Sequence, residues 1–229
     1  MNNENKQNHM LINRQDNIDE FLRIAHENLD PVQDFLTNYE CAIMEIETKF
    51  NVLNARFSIK YDGNPIESIH TRLKSWDSII DKLNRKHLPF SLDSIAKNIF
   101  DVAGVRVVCS FVDDIYTLAD CLLSQDDIHL IEKKDYIKNP KENGYRSLHL
   151  IVEVPIFTEK EPKNMPVEIQ LRTIAMDFWA SLEHKMRYKK NLNEEQLQRL
   201  SHEMMYCADR SAELDDRMNH VHEELKKED

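Results

Sequence analysis

The chain has 229 residues and a formal net charge of −11, with 41 acidic against 30 basic side chains. This balance excludes a protein whose main task is to coat a nucleic-acid backbone, because such binding depends on neutralising phosphates, and we expect no DNA partner. No apolar stretch approaches the roughly 20 residues of a membrane span, so we expect no membrane partner and a cytoplasmic location.

The length suits one domain with helical flanks. We predict a disordered polar tail over residues 1–15 and a single domain over 16–229. The core of this domain spans about residues 60–190, and its helical flanks are residues 16–59 and 191–229.

Apolar residues spaced by three and four predict helices at both ends of the chain. A short helix is expected at 17–29, ended by Asp30-Pro31. A long helix follows over 32–57, and its apolar stripe has a counterpart over 197–225. Each stripe either packs on the protein's own core or forms contacts between subunits, and the spacing leaves both open.

The middle of the chain predicts strands interleaved with shorter helices. Alternating and continuous apolar runs predict five strands, at 66–73, 105–111, 128–134, 147–154 and 167–172. Helical spacing predicts four helices, at 75–87, 92–99, 113–124 and 174–189. The fold class is therefore α+β, with one mixed sheet of about five strands capped by helices at both ends.

The first of these helices has a cationic face. Lys74, Ser78, Lys82 and Arg85 follow at intervals of four, four and three, opposite an apolar face. With Arg72 just before it, this face would suit a triphosphate. The alternative is a solvated lysine-rich face.

Two carboxylates fall at the ends of predicted neighbouring strands. Asp101 precedes Gly104 at the start of an apolar strand, where it could reach a cation or cap a turn. Glu168 alternates with apolar residues, so it is either a magnesium ligand, a base for an attacking hydroxyl, or part of an exposed strand face. Arg106, on the polar face of its strand, could stack on a base or bind a phosphate. Such a set predicts metal-assisted phosphoryl transfer.

A basic loop with tyrosines joins two of the strands. It runs from Lys134 through Asn143-Gly144-Tyr145 to His149, and it could stack a base and hold a diphosphate, or be a Lys-rich hairpin with a structural tyrosine. The chain has only three glycines, which excludes the glycine-rich phosphate loops. Any phosphate must therefore be held by side chains.

Together these segments resemble the synthetase domain of the RelA/SpoT homologue family. The motifs that carry the resemblance are Asp101-Val-Ala-Gly-Val-Arg106, Lys134-Asp-Tyr-Ile137, Pro140-Lys-x-Asn-Gly-Tyr-Arg-Ser-Leu-His149, Glu168-Ile-Gln-Leu-Arg-Thr173 and Phe178-Trp-Ala-x-x-Glu-His184. They run in order over about residues 60 to 190, and the flanking helices are similar to those of the small alarmone synthetases, nearest the RelP branch.

The resemblance implies a fold and an activity. The fold would be a nucleotidyltransferase-like mixed sheet, and the assembly a homotetramer. The reaction would move the β,γ-pyrophosphate of ATP to the 3′-hydroxyl of GDP or GTP with Mg²⁺, which yields ppGpp or pppGpp and AMP. With no hydrolase domain, the chain would make the alarmone without destroying it.

The resemblance also implies roles for single residues. The catalytic residues would be Glu168, as base for the 3′-hydroxyl, with Asp101 and Arg85; Asp101 and Glu168 would bind magnesium. ATP would meet Arg72 and Arg106 on both sides of the adenine and, along its phosphates, Lys74, Ser78, Lys82 and Arg85. The acceptor would stack on Tyr145, with Asn143 and Gln170 nearby, and its phosphates would meet Lys134, Lys141 and His149.

Two other functions compete with this hypothesis. One is a non-catalytic nucleotide-sensing or RNA-binding module, which replacement of Asp101 or Glu168 would have favoured; both are present. The other is an ordinary nucleotidyltransferase, which typically uses closely spaced carboxylates on one strand, and none stands two residues from Asp101.

Overall fold

The computed structural model describes residues 29–61, 63–159, 161–187, 193–225 and 227. The predicted tail and all of the predicted helix 17–29 except Leu29 lie outside these residues. The elements are, in chain order, α1 (Leu29–Tyr61), β1 (Ile66–Leu73), α2 (Trp76–Arg85), α3 (Leu92–Asn98), β2 (Ala103–Cys109), α4 (Val112–Leu123), β3 (His129–Asp135), β4 (Leu148–Ile156), β5 (Lys163–Thr173), α5 (Ile174–Arg187) and α6 (Glu194–Leu225). The predicted α+β class, with a five-stranded mixed sheet between long helices, is confirmed.

The sheet has the strand order β1-β2-β5-β4-β3. Strands β2 and β5 are parallel, and the other neighbouring pairs are antiparallel. The strand that comes last in the sequence therefore lies in the middle of the sheet. Its register places Val167 opposite Ala103 and Glu168 opposite Gly104.

One face of the sheet forms the core of the protein. Val105, Leu150 and Ile169 on this face are at most 1% exposed, and α1 covers them with the fully buried Tyr39 and Phe50. Each such side chain contributes about 1.5–3 kcal/mol by leaving water. Helix α4 packs beside α1 on β2 and β5. The opposite face of the sheet is left free to carry polar groups.

Strand β5 begins four residues before the predicted start at 167, and this is a correction. Pro166 lies within the added residues and pairs with Glu153 of β4. The pairing of β5 with β2 begins only at Val167. Pro166 therefore has no partner residue on β2 that would need its missing N–H. Pro155 is tolerated in β4 for the same reason, since the pairing with β3 ends at Glu153.

The two long helices use their apolar stripes differently. Helix α1 starts at Leu29 instead of 32, because Pro31 falls in its first turn, where a missing N–H costs nothing. Its stripe, including Tyr39 and Phe50, is buried in the core. The stripe of α6 is exposed along its second half, at Leu214, Met218, Val221 and Leu225. No helix in the described part of the chain is both long and apolar enough to cross a bilayer.

Candidate active site

A row of polar side chains crosses the free face of the sheet from edge to edge. The register pairs His70 with Arg106, Arg106 with Gln170, Gln170 with His149, and His149 with Lys134. Residues in register lie side by side on the same face. The alternation in the sequence predicted a polar face for β2 and for β5. In the sheet, the polar row continues onto the other three strands.

A cavity of about 470 Å³ opens over this row. It brings together five of the predicted site residues: Arg72, Arg106, Tyr145, Glu168 and Gln170. Helix α5 closes the cavity on one side with Ala180, Ser181, Glu183, His184 and Lys185. The cavity therefore lies between the polar face of the sheet and α5.

Asp101 is held by two lysines at the edge of the sheet where β1 ends and β2 begins. Its Oδ2 lies 2.6 Å from Lys74 Nζ and 2.7 Å from Lys82 Nζ. Burial would raise the pKa of Asp101, but the hydrogen bonds and charges of Lys74 and Lys82 outweigh burial and lower this pKa below its ordinary value. The group is therefore a carboxylate with an excess of positive charge around it.

Helix α2 presents the remaining predicted phosphate ligands. The side chain of Ser75 caps the helix by accepting from the Ser78 amide, and its own hydroxyl donates to Ser78 Oγ at 2.8 Å. Ile79 and Leu83 bury the opposite face, which fixes the helix on the core. Ser78 and Arg85 are exposed near the two ends of α2, and Lys82 between them contacts Asp101; Lys74, predicted on the same face, precedes the helix and contacts Asp101 as well.

Glu168 lies between groups from both sides of the cavity. Its Oε2 accepts from Gln170 Nε2 at 2.9 Å and is 3.8 Å from Arg72 Nη2, while its Oε1 is 3.8 Å from His149 Nδ1. Gly104 makes room for Arg72, because a Cβ at Gly104 would lie only 3.1 Å from Arg72 Nε. The absence of a side chain there lets the guanidinium cross β2 toward Glu168.

Tyr145 and His149 form a hydrogen-bonded pair, with their hydroxyl and Nε2 2.7 Å apart. Burial, together with the charges of Arg172, Lys141 and Lys134, lowers the pKa of His149 to about 3. The imidazole is therefore neutral near pH 7.

Arg172 is the residue of this site that sequence reasoning left without a role. Its Nη2 donates to the Tyr145 hydroxyl at 2.8 Å and to Gln170 Oε1 at 2.6 Å, and its Nη1 donates to Asp177 Oδ1 at 3.0 Å. Asp177 also accepts from Arg106 Nη1 at 3.2 Å. The signal was in the sequence, since Arg172 alternates with Glu168 and Gln170, but only the fold shows that it is buried.

The loop before β4 holds the other predicted acceptor ligands. Lys141 Nζ lies 4.9 Å from the centre of the Tyr145 ring, and Asn143 Nδ2 donates to Glu183 Oε1 at 3.1 Å. These residues line a second cavity of about 650 Å³, which shares Tyr145 and Glu183 with the first. Lys134 donates to Glu132 at 2.7 Å, which raises its pKa.

The donor set fits a magnesium ion that is shared with a substrate. Asp101 Oδ1 is buried and has no hydrogen-bond partner, although its other oxygen has two. Over the described residues, no group of three or more acidic, histidine or cysteine side chains is placed to enclose a metal ion. Mg²⁺ typically takes one or two protein carboxylates and completes its shell with phosphates and water, and the unpartnered Asp101 Oδ1 could supply one such ligand.

Comparison with known proteins gives consistent matches. Residues 71–193 match the family described as a region found in RelA / SpoT proteins. The chain is 41% identical over 187 residues to GTP pyrophosphokinase YwaC of Bacillus subtilis (strain 168), which covers 82% of this chain and 88% of that protein.

Two solved structures are also similar. Small alarmone synthetase 2 from Bacillus subtilis gives a TM-score of 0.75 at 38% identity, over 85% of this chain and 100% of that chain. Small alarmone synthetase 1 from the same organism, bound to its product pppGpp, gives a TM-score of 0.76 at 34% identity, over 85% and 98% of the two chains.

Proposed function

The chain belongs to the RelA/SpoT family, and on that premise we propose that it is a (p)ppGpp synthetase that transfers the β,γ-pyrophosphate of ATP to the 3′-hydroxyl of GDP or GTP and releases AMP. The resemblance inferred from the motifs is confirmed by these matches. The observation that carries the proposal is the position of Glu168, between Arg72 on the donor side and His149 on the acceptor side.

Glu168 is the proposed base for the reaction. The 3′-oxygen forms a bond to the β-phosphorus, the bond from that phosphorus to the oxygen shared with the α-phosphate breaks, and the proton of the hydroxyl passes to Glu168. The amide of Gln170 and the guanidinium of Arg72 hold the carboxylate toward the cavity. Holding the reacting groups in a productive orientation is a large part of the rate enhancement of such an enzyme.

The donor nucleotide is assigned to the edge where β1 and β2 meet. Arg72 and Arg106 line the part of the cavity in which we propose that the adenine binds. The groups proposed for the triphosphate are Lys74, Ser78, Lys82 and Arg85, with Arg85 also assisting the transfer. ATP and GDP together carry about seven negative charges, which a cluster of cations must balance for the two to approach.

The acceptor is assigned to the opposite side of the cavity. The ring of Tyr145 is proposed to stack on the guanine, with Asn143 and Gln170 at the edge of the base. Its phosphates are assigned to Lys134, Lys141 and the neutral His149.

Magnesium is the proposed cofactor, with Asp101 and Glu168 as its protein ligands. When bound, it would neutralise charge on the phosphates and polarise the group being transferred. The unpartnered Oδ1 of Asp101 supports this assignment. Lys74 and Lys82 would then balance the carboxylate from its other oxygen.

We also propose that the protein forms a homotetramer through α6. The exposed stripe of Leu214, Met218, Val221 and Leu225 supports this, because it repeats at coiled-coil spacing and lies uncovered in a single chain. Light scattering is expected to give the mass of four chains, and a monomer mass would contradict the assignment. The single-domain division and the cytoplasmic location remain predictions.

Product analysis tests the activity directly. Purified protein with ATP, GDP and Mg²⁺ should form AMP and ppGpp in equal amounts, as separated by ion-exchange chromatography. Release of ADP and phosphate, or of pyrophosphate, would point to another enzyme. Added ppGpp should persist in the same mixture, because we propose a synthetase without hydrolase activity.

A further inference from the structure

Helix α6 contacts the acceptor loop, which we define as residues 143–147, through a buried ion pair. Arg146 Nη1 lies 3.3 Å from Asp215 Oδ2, and the two side chains are only 13% and 7% exposed. The same oxygen accepts from Thr173 Oγ1, at the end of β5, at 2.9 Å. Burial raises the pKa of Asp215, although Thr173 and Arg146 oppose this effect. Asp215 thus joins the acceptor loop to the end of the central strand.

A second contact fixes the same loop against the same helix. Gly144 has a φ of 85°, which favours glycine, and a Cβ there would lie 2.5 Å from the Ala208 Cβ and 3.2 Å from Met205 Sδ. The backbone of the loop therefore approaches α6 more closely than any side chain at Gly144 would allow. Alternate residues of the loop, Gly144 and Arg146, face the helix.

The residue between them faces the cavity. Tyr145 lines it, with its hydroxyl bonded to His149 and Arg172. The ring itself packs against Trp179, Ala180 and Ala208, so α6 holds both the ring and the residues on either side of it. The ring direction matters because stacking on a base requires a set plane.

Helix α6 is itself anchored to α5, so it can serve as a fixed support. Trp179 Nε1 donates to the Met204 carbonyl at 2.9 Å, and Ser211 Oγ donates to the Ala175 carbonyl at 3.0 Å. The lysines proposed to bind the donor are held by other contacts, because Lys74 and Lys82 pair with Asp101 and not with α6. A change at Asp215 should therefore act on one substrate more than on the other.

We propose that Asp215 is a positioning residue for the acceptor nucleotide, acting through Arg146 on Tyr145. This inference rests on the proposed function, in which Tyr145 stacks on the guanine. The carboxylate touches neither substrate; it keeps the buried Arg146 charge paired and the loop in place. Removing one partner of such a pair leaves an uncompensated charge, which shifts the group that carries it.

Asp215→Asn tests the proposal, with Asp209→Asn as the matched control at an exposed position of the same helix. We expect Asp215→Asn to raise the KM for GDP roughly tenfold and to change the KM for ATP less than twofold. The control should match the wild type. Equal changes in both KM values, or none, would overturn the proposal.

Hydrogen exchange gives a readout that does not depend on activity. In the wild type the Gly144 amide donates to the Lys141 carbonyl, and the Lys141 amide donates to the Tyr145 carbonyl. Asp215→Asn should lower the stability of the whole protein, because it breaks a buried pair, and should speed exchange at these two amides more than at the amides of α1 and the sheet. Uniformly faster exchange would indicate a structural role only and would refute the inference.

A double-mutant cycle with Arg146→Gln tests whether the pair acts as a unit. The double variant should be no worse for GDP than Arg146→Gln alone, and additive losses would contradict the mechanism. If Asp215→Asn does not fold, Arg146→Gln alone carries the test with the same expected split between the KM values. Absence of AMP and ppGpp from the wild type would instead refute the proposed function, while the exchange result would still decide whether Asp215 holds the loop.

Discussion

The two regions that we assign to the donor and to the acceptor are built in different ways. On the donor side, two ammonium groups share one oxygen of Asp101, and the other oxygen has no partner. On the acceptor side, hydrogen bonds join the Tyr145 hydroxyl to His149 Nε2 and to Arg172 Nη2, while Arg172 Nε is buried without a partner. The first is a charge cluster, and the second is a fixed frame.

This difference suggests how each side meets its substrate. The donor side can exchange its internal ion pairs for contacts with phosphates and a metal, which suits a substrate recognised mainly by charge. The acceptor side is preorganised, so it can recognise the shape and plane of a base with little rearrangement. Substitutions should therefore have different kinetic signatures on the two sides.

The largest effect is expected where the two sides meet. Glu168→Gln keeps the size of the side chain and removes the proposed base, so kcat should fall roughly 10³-fold while far-ultraviolet circular dichroism and urea unfolding stay unchanged. Initial rates of AMP formation measure it. Substantial residual activity would mean that another group takes the proton.

The acceptor frame is tested next by Tyr145→Ala. Loss of the ring should raise the KM for GDP by about 10- to 100-fold and leave the KM for ATP within twofold. Tyr145→Phe keeps the ring and should show a much smaller change. Equal effects on both substrates would remove Tyr145 from the guanine site and weaken the contrast between the two sides.

A smaller effect, of opposite selectivity, is expected on the donor side. Lys82→Met should raise the KM for ATP roughly tenfold with little change for GDP, because Lys74 still pairs with Asp101. Lys97→Met removes an exposed lysine that pairs with the exposed Asp93, and it is the control. A selective loss of GDP binding in Lys82→Met would reverse the proposed assignment of the sites.

The smallest effect concerns pH and stability. Because the pKa of His149 is lowered to about 3 in the folded protein from 6.5, the unfolded chain binds an extra proton between these values. Stability should therefore fall as pH drops below 6.5, with a slope from this group of at most about 1.4 kcal/mol per pH unit.

Urea unfolding between pH 8 and pH 5 checks this dependence. His149→Asn should lose stability less steeply than the wild type, whereas His129→Gln, an exposed histidine on β3, should behave as the wild type does. A parallel fall in His149→Asn and the wild type would show that the frame tolerates a charged imidazole.

The sequence predicted best what depends on local periodicity. Alternation placed Glu168 and Gln170 on one face of a strand, and helical spacing placed Lys82 on the cationic face of α2, as the structure shows. The central position of β5 was beyond reach, because strand order depends on contacts between distant segments. The burial of Asp215 could not be predicted for a related reason. Asp215 lies outside the apolar stripe of α6, and only tertiary packing buries it.

The central position of β5 has a consequence for how the enzyme matures. During synthesis β1, β2, β3 and β4 leave the ribosome before β5, so a nascent chain has Asp101 and Tyr145 but lacks Glu168 between them. Pairings between distant segments form late, because the chain between them must lose conformational entropy before the strands can meet. Catalytic competence should therefore arise in one step, when the last strand enters the gap between β2 and β4.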